Sequence, residues 1–244
     1  MKITAATYIL LVFLALSNTL HAQNPIANLD MSGDIHTWYD QQMGTEKSSL
    51  ILGTYQDVRL LSIDSHPFFF QFQWLTGSIR YRGQSYTNID MMYNVFENFV
   101  IIRNPNYSRG NQPIHLNQSQ VEWFELNGSF FRNYNENEAT LPNGVYEELF
   151  IGDHVALIAK RSKKTTNSNN QSTITFLEND KYYFKYNGTY TRIAGRGPII
   201  RQLKEKRKEL RVFARDNELI LQAGVRDRDL IMFIAYTEKI LSEQ

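Results

Sequence analysis

The chain has no cysteine and only six prolines in its 244 residues. Without cysteine there can be no disulfide framework, the usual support of small secreted eukaryotic domains. A chain of this length can instead be held by its core alone, as bacterial periplasmic and extracellular proteins are. Excess charge of either sign is also missing, since 26 Lys and Arg stand against 25 Asp and Glu. A dedicated nucleic-acid binder carries a basic surplus that displaces counterions, so no nucleic-acid partner is expected. Beyond residue 22 no apolar run approaches the roughly 20 residues that a membrane-spanning helix needs.

What is present begins with a tripartite N-terminus. Lys2 supplies a positive charge, Tyr8 to Leu16 an apolar stretch, and Leu20-His21-Ala22 a boundary before Gln23. The apolar stretch is too short to span a bilayer and reads as the core of a secretory signal peptide, residues 1–22. No cysteine follows it to carry a lipid anchor. Lys2 is the one charged residue in this segment, so the mature chain, residues 23–244, is balanced in charge. Triplets of the form N-x-Ser/Thr start at Asn106, Asn117, Asn127, Asn170 and Asn187, as chance provides in a chain rich in Asn.

Residues 23–45 carry Gly, Asp and Asn punctuation with one aromatic pair, Trp38-Tyr39, and read as a loosely structured entry with at most one short helix. Alternation of apolar and polar residues then dominates. Ile79 and Tyr81 alternate with Arg80 and Arg82; Ile89, Met91 and Tyr93 alternate with Asn88, Asp90 and Asn94. This two-residue period marks strands. Asn127-Gly128 and Asn187-Gly188 sit between such runs, where Asn-Gly favours the two-residue turn of a β-hairpin. Gly152-Asp153 turns Val145–Ile151 back onto Val155–Lys160, and the polar stretch Ser162–Thr173 reads as a mobile loop.

At Gly197-Pro198 the period changes. Ile199, Leu203, Leu210 and Phe213 fall on one stripe, predicting an amphipathic helix over 198–215. A second helix, 228–241, follows Asp227 and Asp229 as caps and turns Leu230, Phe233, Ile234, Ile240 and Leu241 inward. The expected fold is therefore α+β. A mainly antiparallel sheet of serial hairpins, 48–193, is closed by two C-terminal amphipathic helices within 198–241, all in one domain. Residues 196–215 hold eight Lys and Arg. Arg201, Lys204, Lys208, Arg211 and Arg215 lie largely off the apolar stripe and form the candidate partner-binding face, although a solvated helix face accounts for the same pattern.

Catalytic patterns fail one after another. Glu147 and Glu148 are neighbours on a strand, so they point to opposite faces and cannot flank one bond; solvated glutamates explain them. Glu122 and Glu125 are separated in the same way. His36, His66, His115 and His154 lack metal-ligand spacing. Ser85 lies in Gly83-Gln-Ser-Tyr-Thr87, which lacks the second glycine of a nucleophile elbow. Gly195-Arg-Gly197 resembles a dinucleotide loop only superficially, because Pro198 removes an amide and no βαβ unit surrounds it; helix capping explains it better. No catalytic residue, metal or cofactor is expected. Trp74 and Trp123 suit sugar stacking or core packing equally.

Several stretches, taken together, resemble a family of uncharacterised secreted proteins of Bacteroidota. They are H-P-F-F at 66–69, G-S-I-R-Y-R-G-Q-S-Y at 77–86, V-E-W-F-E-L-N-G-S-F-F at 121–131, G-V-Y-E-E-L-F-I-G at 144–152 and I-I-R-Q-L-K-E-K-R-K-E-L at 199–210. The fourth departs from the G-F-Y-E-x-L form of that family by one apolar residue. The resemblance implies an exported β-rich protein and brings no established activity. Sequence and resemblance together point to a non-catalytic binding protein of the periplasm or cell surface, its partner an envelope protein or an anionic envelope component. The alternatives are a carrier of an apolar small ligand in a sheet cavity and a glycan-active hydrolase. N-terminal sequencing of the protein expressed in a bacterial host should begin near Gln23; a start at Met1 would refute export.

Overall fold

The computed structural model describes residues 50, 54–55, 65–103, 113–134, 140–167 and 174–243. The signal segment, residues 23–45 and His36 lie outside them. The first strands are β1 (Thr54–Tyr55), β2 (Leu75–Tyr81), β3 (Gln84–Asn94), β4 (Phe99–Arg103), β5 (Pro113–His115) and β6 (Val121–Leu126). Next come β7 (Ser129–Tyr134), β8 (Gly144–Ile151), β9 (Val155–Lys160), β10 (Lys163–Asn167) and β11 (Ile174–Glu178). Strands β12 (Lys181–Tyr186) and β13 (Thr189–Ile193) precede helices α1 (Arg196–Gln202), α2 (Arg207–Asp216) and α3 (Asp227–Ser242). Eleven strands form one antiparallel sheet in the order β1-β5-β4-β3-β2-β6-β7-β8-β9-β12-β13, and β10 pairs with β11 apart from it.

Hairpins generate this order. Asn127-Gly128 and Asn187-Gly188 both take positive φ, as a type I′ turn requires. The β2–β3 turn has the same geometry at Arg82-Gly83, with φ of 54° and 79°. Arginine is an unusual occupant. The turn is tied instead by its surroundings: Arg82 N–H donates to the Gln120 carbonyl and Gly83 N–H to Glu122.

The sheet is strongly curled. In a flat sheet β3 and β7, three strands apart, would be about 14 Å from each other. Yet the rings of Tyr93 and Phe131 pack at 5.3 Å between centroids, and Phe124 joins them at 5.1 and 4.7 Å. One face thus encloses its own core, including Ile79, Tyr81, Met91, Val100, Val121 and Val145, to which the C-terminal helices contribute no buried residue. The helices cover the other end of the sheet. Leu157, Phe184 and Ile193 meet Ile199 of α1, Leu210 of α2, and Leu230, Phe233 and Ile234 of α3.

Three sequence expectations need correction. The helix expected over 198–215 is two helices, broken around Leu203, whose φ and ψ are −108° and 58°. A continuous apolar stripe through 199, 203 and 210 would place residue 206 or 207 against the core. Lys206 and Arg207 stand there, and the break keeps Arg207 in water. There are therefore three C-terminal helices among the described residues, not two. Asp227 and Asp229 do not cap α3: Asp229 accepts from Ile220 N–H, while Asp227 binds Arg161 and Tyr182. Finally, Ser162–Thr173 is not all loop, because Lys163–Asn167 form β10. Lys163, only 8% exposed, donates to the carbonyls of His66 and Phe68 and anchors that strand.

Helix α3 is fastened to the β8–β9 turn by Glu238. Its carboxylate accepts from the N–H groups of Asp153 (3.0 Å), His154 (3.1 Å) and Val155 (2.9 Å), and meets His154 Nδ1 at 2.9 Å. A Cβ at Gly152 would lie 2.4 Å from this carboxylate, so the turn admits only glycine there without movement. Burial opposes ionisation of Glu238, but the hydrogen bonds from His154, Val155 and Asp153 prevail and hold its pKa below the ordinary 4.5. A carboxylate depressed in the folded state stabilises above its unfolded pKa and loses that contribution as pH falls through the folded value. Glu238→Gln should therefore cost about 1.5–3 kcal/mol at pH 7. The gap from the parent protein should shrink below about pH 4. Urea unfolding across that pH range tests both the magnitude and the direction.

Candidate functional site

The five residues of the expected partner-binding face come together. Arg201, Lys204, Lys208, Arg211 and Arg215 line one groove of about 1080 Å³ along α1 and α2, joined by Arg196 and Arg207. All seven side chains are exposed; Ile200 lies buried beneath them, and Glu205 is the one carboxylate in the lining. Arg215 is engaged by Asp216 at 2.9 Å. The other six have no carboxylate within ion-pairing distance among the described residues. Pairing spacings of three and four residues from Arg201 to Arg215 explain why the face was legible: they place successive charges on one side of a helix.

Elsewhere a buried cation is met by carboxylates, and sequence reasoning missed the main instance. Arg161, at the end of β9, has a side chain only 12% exposed. Its Nε donates to Glu147; one terminal nitrogen reaches Asp180 at 2.6 Å and Tyr182 Oη at 2.9 Å, the other Asp227 at 2.5 Å. Tyr182 also donates to Asp227 at 2.6 Å. Burial pulls the Arg161 pKa down, but Glu147, Asp227, Tyr182 and Asp180 more than reverse this and hold it above its ordinary value. Tyr182 is raised by burial and by its bond to Asp227. A cleft of about 720 Å³ opens beside this cluster, with Phe69, Phe70 and Val225 on its wall.

The glutamate pair is arranged as strand parity requires, but neither member is solvated. Glu147 faces Arg161 and accepts from Ser129 at 2.6 Å, whereas Glu148 accepts from Arg132 at 2.6 Å and Tyr134 at 2.9 Å on the opposite face. They do not converge on a common bond. Burial, then Glu148, raises the pKa of Tyr134.

The other sequence candidates are placed apart. His66 accepts from Phe68 N–H, and burial with nearby Lys163 lowers its pKa. His115 packs on Phe99 with ring centroids 3.9 Å apart, and its pKa is lowered by burial. His154 belongs to the Glu238 clasp. Among the described residues no group of His, Asp and Glu has metal-binding geometry. Ser85 lies on β3 near Arg80. Gly195 precedes α1 and bridges Gln222, and its Cβ would lie 2.5 Å from the Leu221 carbonyl; close backbone approach accounts for that glycine. Trp123 stacks on Phe130, and Arg103 lies over Trp74.

No protein-family model matches the chain, and no curated protein or solved structure does. No helix among the described residues is long and apolar enough to cross a membrane.

The Arg161 cluster carries a measurable consequence. Arg161→Met would leave three carboxylates around a missing cation and should cost about 3–5 kcal/mol in urea unfolding. Adding Glu147→Gln should restore part of that loss, because it removes one stranded charge. Equal stability of Arg161→Met and the parent protein would show that the cluster is solvated.

Proposed function

We propose that this chain is an exported, non-catalytic binding protein of the bacterial periplasm or cell surface, capturing an anionic envelope component through the α1–α2 groove. The observation that carries the reading is the contrast in charge pairing. Arg161 is surrounded by three carboxylates, whereas six cations around one concavity have none within pairing distance among the described residues. Concave placement of like charges focuses their field and raises the encounter rate with an opposite charge. Export rests on the N-terminal segment, which supplies a signal-like pattern. Neither alternative gains comparable support. Glu147 and Glu148 face apart, and the curled sheet fills its concave side with Tyr93, Phe124 and Phe131.

Reversal of Lys204, Lys208 and Arg211 to Glu should leave the melting temperature within about 2 °C, since exposed charges contribute little to stability. Capture of anionic envelope fractions should fall by at least about ten-fold at 10 mM salt, where the Debye length is about 30 Å. The difference should narrow at physiological salt, where screening shortens that length to about 8 Å. Equal capture by the parent and reversed proteins at low salt would leave the basic face as a solvated surface.

A further inference from the structure

The basic groove has an apolar neighbour. A second cavity, about 520 Å³, lies on the other side of α2, and Lys208, Val212 and Glu205 line both. Lys208 and Val212 are four residues apart, so they form one ridge along the helix between the two spaces. On the far side Phe213 and Tyr236 stack in parallel at 3.8 Å between centroids and form the wall with Val212, which is 37% exposed. Glu209 and Asp216 also line this cavity. Glu209 is paired with Lys206 at 3.7 Å and Asp216 with Arg215 at 2.9 Å, so with Glu205 and a single lining cation, Lys208, this cavity offers a second anionic group no cluster of cations. A linear polyanion is thereby confined to the basic side, whereas an uncharged chain can cross the ridge.

We propose that these adjoining cavities form a site for an anionic amphiphile with a single alkyl chain. Its headgroup sits among Arg201, Lys204, Lys208 and Arg211, and its chain passes over Val212 onto the Phe213–Tyr236 stack. The proposal rests on the basic-groove reading and deepens it by naming the class of ligand. Charge complementarity sets which end lies where: seven cations face one carboxylate, Glu205, on the head side, whereas one cation, Lys208, faces three carboxylates on the chain side.

Alkyl phosphates provide the test, titrated calorimetrically below their micelle concentrations against the mature protein, with inorganic tripolyphosphate as a probe without a chain. From hexyl to decyl phosphate, affinity should rise with each methylene by up to about four-fold, the equivalent of about 0.8 kcal/mol. Val212→Gln, an exposed change, should weaken decyl phosphate about ten-fold and leave tripolyphosphate unchanged. The triple reversal of Lys204, Lys208 and Arg211 to Glu should weaken both. If tripolyphosphate binds but hexyl and decyl phosphate bind equally, the amphiphile is overturned and the basic groove stands. If neither phosphate class binds the parent protein, both readings fall. Decyl phosphate binding that survives both variants would locate the chain elsewhere and overturn the proposal.

Discussion

The guanidinium of Arg161 touches β8 through Glu147, the approach to β12 through Asp180, and the first turn of α3 through Asp227. Its position explains why these partners were selected. Glu147 pairs across the sheet with Phe131 on one side and Ala159 on the other. Phe131 belongs to the core inside the curled sheet, Ala159 to the core under the helices. The seam between two apolar clusters is thus polar and buried. Apolar packing is non-directional and would tolerate several placements of α3. A forked cation with defined hydrogen-bond directions is more selective, because any displacement leaves a buried carboxylate unpaired.

Such a cluster contributes placement more than net stability. Removing charges from water costs several kcal/mol per ion, which their mutual attraction only offsets when every group is satisfied. Satisfaction here is extensive: Ser129 completes Glu147, Ser162 N–H donates to Asp180, and Tyr182 completes Asp227. At the opposite end of α3 the Glu238 clasp fixes the helix to the β8–β9 turn. Two polar anchors near the ends of one helix determine its direction, and the apolar face between them supplies the burial. Helices α1 and α2 then pack in the remaining space through Ile199, Leu203 and Leu210.

Local rules made much of this legible. Strand alternation and the Asn-Gly turns gave the hairpins, since their causes lie within a few residues of the chain. The Arg82-Gly83 turn was less visible because arginine has no preference for positive φ; Gln120 and Glu122, distant in sequence, hold it there. Strand β10 was hidden for a similar reason. Its polar sequence resembles a loop, and its order comes from β11 and from carbonyls near His66. Arg161 offers no sequence signal at all. Its partners stand 14, 19 and 66 residues away, so only the folded chain assembles them. The basic face was readable because helical periodicity is local, but the break that shapes it was not inferred from Lys206 and Arg207.

That break changes what the charges can do. On one straight helix, residues 201–215 would display their cations along a convex ridge, where water screens each nearly independently. Interruption near Leu203 divides them between two segments that line a common hollow. Self-repulsion among the cations disfavours this arrangement, and Ile199, Leu203, Leu210 and Ala214 offset it by burial beneath. The same packing leaves Val212 at the ridge and Phe213 half-buried against Tyr236 at the edge of the core. A single departure from helical continuity therefore juxtaposes a field of one sign with an apolar wall. In the site proposed above, the first would draw an anion from a distance, and the second would distinguish among anions by what they carry behind the charge.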